Sequence, residues 1–135
     1  MDELNIVKKT ILIVEDDNFS QTILDMFLSE KYITAIAENG KEALALLENG
    51  LQPHLIISDL NTPEVSGFQL LQILKAKDIY NAIPFVVLSG DDSDAQQQQC
   101  IQAGAAAFVL KPFNPITLGS LIQSLFAAKY PVKIK

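Results

Sequence analysis

LIISDLNTPEVSG, residues 55–67, places an acid at the end of a greasy run. Leu55, Ile56 and Ile57 suit a strand buried on both faces, yet Ser58 and Asp59 follow at once. Asn61 and Pro63 then end the strand, and Gly67 suits a close approach of backbone. Aspartate is depleted in strands and rarely buried without a partner. A chain that carries one out of its own core at a strand tip must supply something to meet that charge.

Outward from this stretch, two periodicities alternate along the chain. TILIV (10–14), YITAIA (32–37), IPFVVL (83–88) and AAFVL (106–110) join residues 55–58 as short apolar runs of strand type. Pro84 is tolerable at a strand start. Between the runs lie helical spacings: Phe19, Ile23 and Phe27; GKEALALLENG (40–50); Leu70, Leu71 and Leu74; AQQQQCIQAG (95–104); and Leu118, Leu121, Ile122 and Leu125. Asn18 with Gln21, Asn39 with Glu42, and Ser93 with Gln96 have capping-box spacing, and Gly50 and Gly104 suit helix ends. The four glutamines at 96–99 suit a solvated helix face.

Five strands alternating with five helices predict an α/β fold with a parallel sheet covered on both faces. The length, 135 residues, suits one domain with its own core, over about residues 10–128, with short extensions at both ends. The opening Met and short tail suit a stand-alone protein, and a domain cut from a larger protein stays open.

Composition excludes several function classes. A net charge of −6 with no basic stripe argues against direct binding of nucleic acid or an anionic membrane surface. The first ten residues hold acids and no secretory core, and the longest apolar run, 103–110, is too short to span a bilayer. A lone cysteine, Cys100, suits a reducing cytoplasm and a packing role. The expected location is cytoplasmic.

In a parallel α/β sheet, ligands bind outside the carboxyl ends of the strands. The first strand ends in Glu15, Asp16 and Asp17, the third in Asp59, the fourth in Ser89, Gly90 and Asp91, and the fifth in Lys111 and Pro112. Taken singly, Asp17 suits a helix start, Ser89 a turn and Lys111 a solvated surface; together they make a constellation. Glu38 ends the second strand, where an edge position keeps it outside. His54 enters the third strand from the opposite end, as a structural residue.

Two carboxylates ~4 Å apart repel by about 4 kcal/mol at an effective dielectric near 20. Three together need protonation or a cation. Hard oxygens without His or Cys suit Mg²⁺. An aspartate, a hydroxyl, a lysine and Mg²⁺ are the equipment of phosphoryl transfer. Asp59 is then the nucleophile, Glu15 and Asp16 hold the metal with it, and Lys111 and Ser89 bind the remaining phosphoryl oxygens.

ILIVEDD, Asp59-x-Asn-x-Pro with the following glycine, Ser89–Gly90 and Lys111–Pro112–Phe113 stand in one order and spacing. In these motifs the chain resembles a response-regulator receiver domain of two-component signal transduction, of the chemotaxis-regulator type, over about residues 10–128. The resemblance implies a flavodoxin-like (βα)5 three-layer sandwich with strand order 2-1-3-4-5. It implies Asp59 as phosphoacceptor, Glu15, Asp16, Asp59 and the Asn61 backbone carbonyl as Mg²⁺ ligands, and Ser89 and Phe108 as switch residues. It also implies a cis peptide between Lys111 and Pro112. The donor would be a sensor histidine kinase or histidine phosphotransfer protein. Output would pass through the surface of the fourth helix, fifth strand and fifth helix to a downstream protein partner or to onward phosphotransfer. The protein would be a phosphoacceptor rather than an enzyme, a monomer or weak dimer. Two departures stand out: Thr62 where the family usually has methionine, and Phe108 without the tyrosine hydroxyl often found there.

Two other classes compete. An aspartate-nucleophile phosphatase would need a second aspartate where Asn61 stands. A phosphorylation-independent adaptor would have no need of the acids, Ser89 and Lys111. A nucleotide site lacks its Gly-rich loop after the first strand.

Overall fold

Apolar residues on both parities of each strand force this sheet to be covered twice. The computed structural model describes residues 8–130, and the greater part of the terminal extensions read from the sequence lies outside the described residues. Strands β1 (Thr10–Val14), β2 (Ile33–Ala37), β3 (Leu55–Asp59), β4 (Phe85–Ser89) and β5 (Ala107–Leu110) are parallel and ordered β2-β1-β3-β4-β5. Helices α1 (Asn18–Leu28), α2 (Gly40–Glu48), α3 (Gly67–Lys75), α4 (Asp94–Gln102) and α5 (Pro115–Lys129) alternate with them. This is the flavodoxin-like three-layer sandwich.

Alternation along the strands sorts the core into two layers. Ile11, Ile13, Leu55, Ile57, Val86 and Leu88 pack with Leu24 and Leu28 of α1 and Leu118 and Ile122 of α5. Leu12, Val14, Ile56, Phe85 and Val87 pack with Leu70, Leu71 and Leu74 of α3, Leu47 of α2 and Cys100 of α4. The same parity carries past the strand ends: Glu15, Asp59 and Lys111 follow the α1/α5 phase, whereas Ser89 and Phe108 follow the α4 phase.

Helix starts explain most departures from the sequence reading. The cap of α1 is Asp17, whose carboxylate accepts the Ser20 N–H, not Asn18. The fully buried residues of α1 are Leu24 and Leu28, Phe27 packs half-buried on the same layer, and Phe19 is 73% exposed. Phe19 lies past the end of the core, lining a groove with Ile23, Pro112, Phe113 and Pro115. Asn39 and Ser93 cap α2 and α4 as expected. A full capping box forms at α3, between Ser66 and Gln69. β4 begins at Phe85, just after Pro84, and extends through Ser89. β3 extends one residue further than expected, to take in Asp59 itself.

Candidate functional site

Asp59 is held in place from behind. Leu60 N–H donates to the Leu88 carbonyl and Gly67 N–H to the Leu60 carbonyl, folding the loop back against the strand tip. A Cβ on Gly67 would stand 2.0 Å from the Asp59 carbonyl oxygen and 2.9 Å from Ser58 Oγ. Only glycine lets the first turn of α3 approach the backbone of Asp59 so closely. This is the tight contact that Asn61–Gly67 foreshadows in the sequence. Thr62, the departure from the usual methionine, is buried and donates its hydroxyl to the Val65 carbonyl, so it serves the same loop.

Parity then delivers Glu15, Asp59 and Lys111 to one place, and Asp16 follows next along the chain from Glu15. Glu15, Asp16 and Asp59 each bring a carboxylate oxygen within 4.8 Å of the others. Lys111 Nζ lies 2.8 Å from Glu15 Oε1 and 3.5 Å from Asp59 Oδ1. The Glu15 side chain is 1% exposed and that of Asp59 14%, so water offers little relief. Burial pushes both carboxyls above the ordinary carboxylate range, Asp59 adding to the effect on Glu15 and Asp16 to that on Asp59, while Lys111 opposes it. Burial alone would lower Lys111, but its hydrogen bond to Glu15 and the charge of Asp59 outweigh that and raise it. One lysine thus pairs with two of three clustered acids. The excess of hard carboxylate oxygens, without His or Cys among them, fits a divalent cation of the Mg²⁺ class.

The remaining predicted residues divide. The Lys111–Pro112 bond is cis, as the resemblance implies. Asn61 is exposed in the loop two residues after Asp59. Glu38 is not among the clustered carboxylates, and His54 sits at the far end, its Nδ1 accepting the Thr10 N–H at 2.9 Å. Phe108 packs half-buried on the core layer that contains Cys100. Ser89 is fully buried, and its hydroxyl is engaged on the α4 side, donating to Gln96 Oε1 at 2.9 Å and accepting the Asp91 N–H at 3.0 Å. Sequence spacing assigns Gln96 only to a cap of α4 and to a solvated face. Ser93 N–H instead goes to Asp91 Oδ1, which frees the Gln96 side chain for Ser89. No signal in the local sequence marks that choice. Gln21, read only as a capping partner, donates to the Glu15 carbonyl and ties α1 to the strand tip.

The family model of the response regulator receiver domain matches residues 11–123. The chain belongs to the response-regulator receiver domain family. Among relatives of this receiver domain, the two-component response regulator ORR3 of Oryza sativa subsp. indica is 33% identical over 112 residues, covering 82% of this chain and 86% of that one. The signal receiver domain of a signal transduction histidine kinase from Syntrophus aciditrophicus superposes with a TM-score of 0.84 at 30% identity, over 94% of this chain and 96% of that one. The chemotaxis response regulator CheY4 of Vibrio cholerae does so with a TM-score of 0.81 at 28% identity, over 88% and 99%. Receiver domains are phosphoacceptor signalling modules that bind Mg²⁺ at an acidic pocket, and this chain carries an acidic cluster of Glu15, Asp16 and Asp59. Among the described residues, no helix is long and apolar enough to cross a membrane.

Proposed function

We propose that this receiver domain is a phosphorylation-dependent switch that accepts a phosphoryl group on Asp59. The observation that carries the reading is the meeting of Lys111 with the buried Glu15 and the largely buried Asp59, with the exposed Asp16 beside them. A histidine kinase or histidine phosphotransfer protein supplies the group. The Asp59 carboxylate oxygen attacks phosphorus, the P–N bond to the donor imidazole breaks, and the electron pair leaves with that nitrogen. Glu15, Asp16, Asp59 and the Asn61 carbonyl would hold Mg²⁺, which neutralises charge on the phosphoryl oxygens. Lys111 is already held within 4 Å of Asp59 and needs no large movement to pair with the incoming oxygens. Ser89 takes a further oxygen.

The product surface follows from parity. Ser89 and Phe108 share the α4 face, so a pull on the Ser89 hydroxyl is felt by α4 and β5, and there the signal passes to a downstream protein or to onward phosphotransfer. Phe108 has no hydroxyl to hand over, so its contribution is ring packing. On this reading the chain is a single receiver unit acting in the cytoplasm as a monomer or weak dimer. It is a phosphoacceptor that assists its own phosphorylation and, with Asn61 and Asp91 flanking the path of an attacking water, loses the group within seconds to minutes.

Incubation with acetyl phosphate and Mg²⁺ tests the reading by intact mass. One added phosphoryl group, absent in Asp59→Asn and absent without the metal, is the expected result. An unchanged mass in the wild-type protein overturns it.

A further inference from the structure

Ser89 Oγ is already fully committed. It is enclosed, accepts the Asp91 N–H at 3.0 Å, and sends its proton to Gln96 Oε1 at 2.9 Å, with the Asp91 carbonyl further off at 3.4 Å. A hydroxyl carries one proton. A bond to Gln96 and a bond to a phosphoryl oxygen on Asp59 therefore exclude each other. Parity sharpens the conflict: Ser89 follows the phase of Phe85 and Val87, toward α4, and Asp59 follows the phase of Leu55 and Ile57, toward α1 and α5.

Gln96 stands in the first turn of α4, and α4 has little else to hold it. Its sequence, DAQQQQCIQ, is polar, and Cys100 is its one buried residue. α3, by contrast, buries Gly67, Leu70, Leu71 and Leu74. The side-chain bond from Gln96 to Ser89 is thus a large share of what ties the first turn of α4 to the sheet.

We propose that Gln96 is a latch: a positioning residue that holds both the Ser89 proton and the first turn of α4 in the unphosphorylated state. Phosphorylation claims the proton and frees the turn. The inference rests on the phosphoacceptor reading above. Coupling of this kind is reciprocal. A partner that draws Gln96 away from Ser89 strengthens the hold on the phosphoryl group.

Titration of the full chain with beryllofluoride and Mg²⁺, followed by amide NMR, tests the latch. Gln96→Ala is expected to tighten binding about fivefold, the factor that a net hydrogen bond of ~1 kcal/mol represents. Gln96→Glu, whose carboxylate accepts the same proton more strongly, is expected to weaken it. In a Ser89→Ala background, Gln96→Ala is expected to change nothing, and amides of the first turn of α4 should exchange faster in wild-type protein once beryllofluoride is bound. If the wild-type protein binds and Gln96→Ala leaves affinity unchanged or lower, or tightens it equally without the Ser89 hydroxyl, the latch is overturned while the switch reading stands. If the wild-type protein neither binds beryllofluoride nor takes a phosphoryl group, the switch reading falls and the latch with it.

Discussion

At the amino ends of the strands, polar side chains close the backbone; at the carboxyl ends they confront one another. His54 Nδ1 accepts the Thr10 N–H, and Lys75 Nζ donates to the Asn81 and Ile83 carbonyls at 2.9 and 2.8 Å. Each of those groups completes a turn or a strand start. At the opposite edge, Glu15, Asp16 and Asp59 cluster where one lysine pairs with Glu15 and Asp59, and those two are nearly or partly closed off from water. The sheet keeps its satisfied polar groups at one end and its unsettled charge at the other. What the carboxyl edge gives up in stability it holds ready for a cation and a phosphoryl group.

The largest effect should come from the backbone that makes the crowded end possible. Gly67→Ala puts a methyl group 2.0 Å from the Asp59 carbonyl oxygen, against backbone that cannot rotate away. Overpacking of this severity costs about 3 kcal/mol, seen as a fall of roughly 10 °C in Tm. Phosphorylation should fall with it, because Asp59 moves. A Gly67→Ala protein with wild-type melting and phosphorylation would show that α3 need not approach so closely.

At the other end, Lys75→Met should cost stability and nothing else. It deletes two bonds to carbonyls, one of them half-buried, while keeping the stem that packs on Gly104. A loss of about 1–2 kcal/mol is expected by urea unfolding. Phosphorylation by acetyl phosphate should be unchanged. A loss of phosphorylation would break the division of labour between the two ends.

Asp59→Asn should do the reverse. Burial penalises the charge of this carboxyl and raises its pKa, and Asn carries no charge. Stability without metal should rise by about 1 kcal/mol, and added Mg²⁺ should raise Tm less than in the wild-type protein. Destabilisation would mean that the Lys111 contact outweighs repulsion among the acids.

The contrast between the ends was partly legible in the sequence. Runs such as LIIS and FVVL fix a doubly covered sheet, because a strand apolar on both parities has no solvent face to offer. Given the sheet, Glu15, Asp16, Asp59 and Lys111 meet because strand tips are brought together by topology alone. Residues whose placement depends on side-chain choice are harder. Phe19 has helical spacing with Ile23 and Phe27 yet lies past the core, since spacing says nothing of where a helix outruns its sheet. Gln96 fits a capping box but turns to Ser89, 7 positions away, a choice decided in three dimensions by the competing Asp91–Ser93 bond.

The smallest predicted effect separates the two ends by the sign of their pH dependence. Glu15 and Asp59 have folded pKa values raised by burial, so on acidification the folded chain takes up their protons before the unfolded chain does. Their contribution to stability therefore rises as pH falls toward the ordinary carboxylate range, about 4. His54 runs the other way. Burial, with Lys9 nearby, holds its pKa below the ordinary value, so the unfolded chain takes the proton first and stability is lost as pH falls below about 6.5. Protonation at Nδ1 would also remove the acceptor for Thr10 N–H. As this is the sole histidine, the stability difference between wild type and His54→Asn isolates its share. That difference should shrink on acidification by a few tenths of a kcal/mol, the scale of a modest shift in a partly exposed group. The corresponding difference for Asp59→Asn should also shrink in size as the wild-type carboxyl becomes protonated, but from the opposite sign, the mutant being the more stable at neutral pH. Two differences of the same sign would mean that the carboxyl edge is not where this fold stores its unsettled charge.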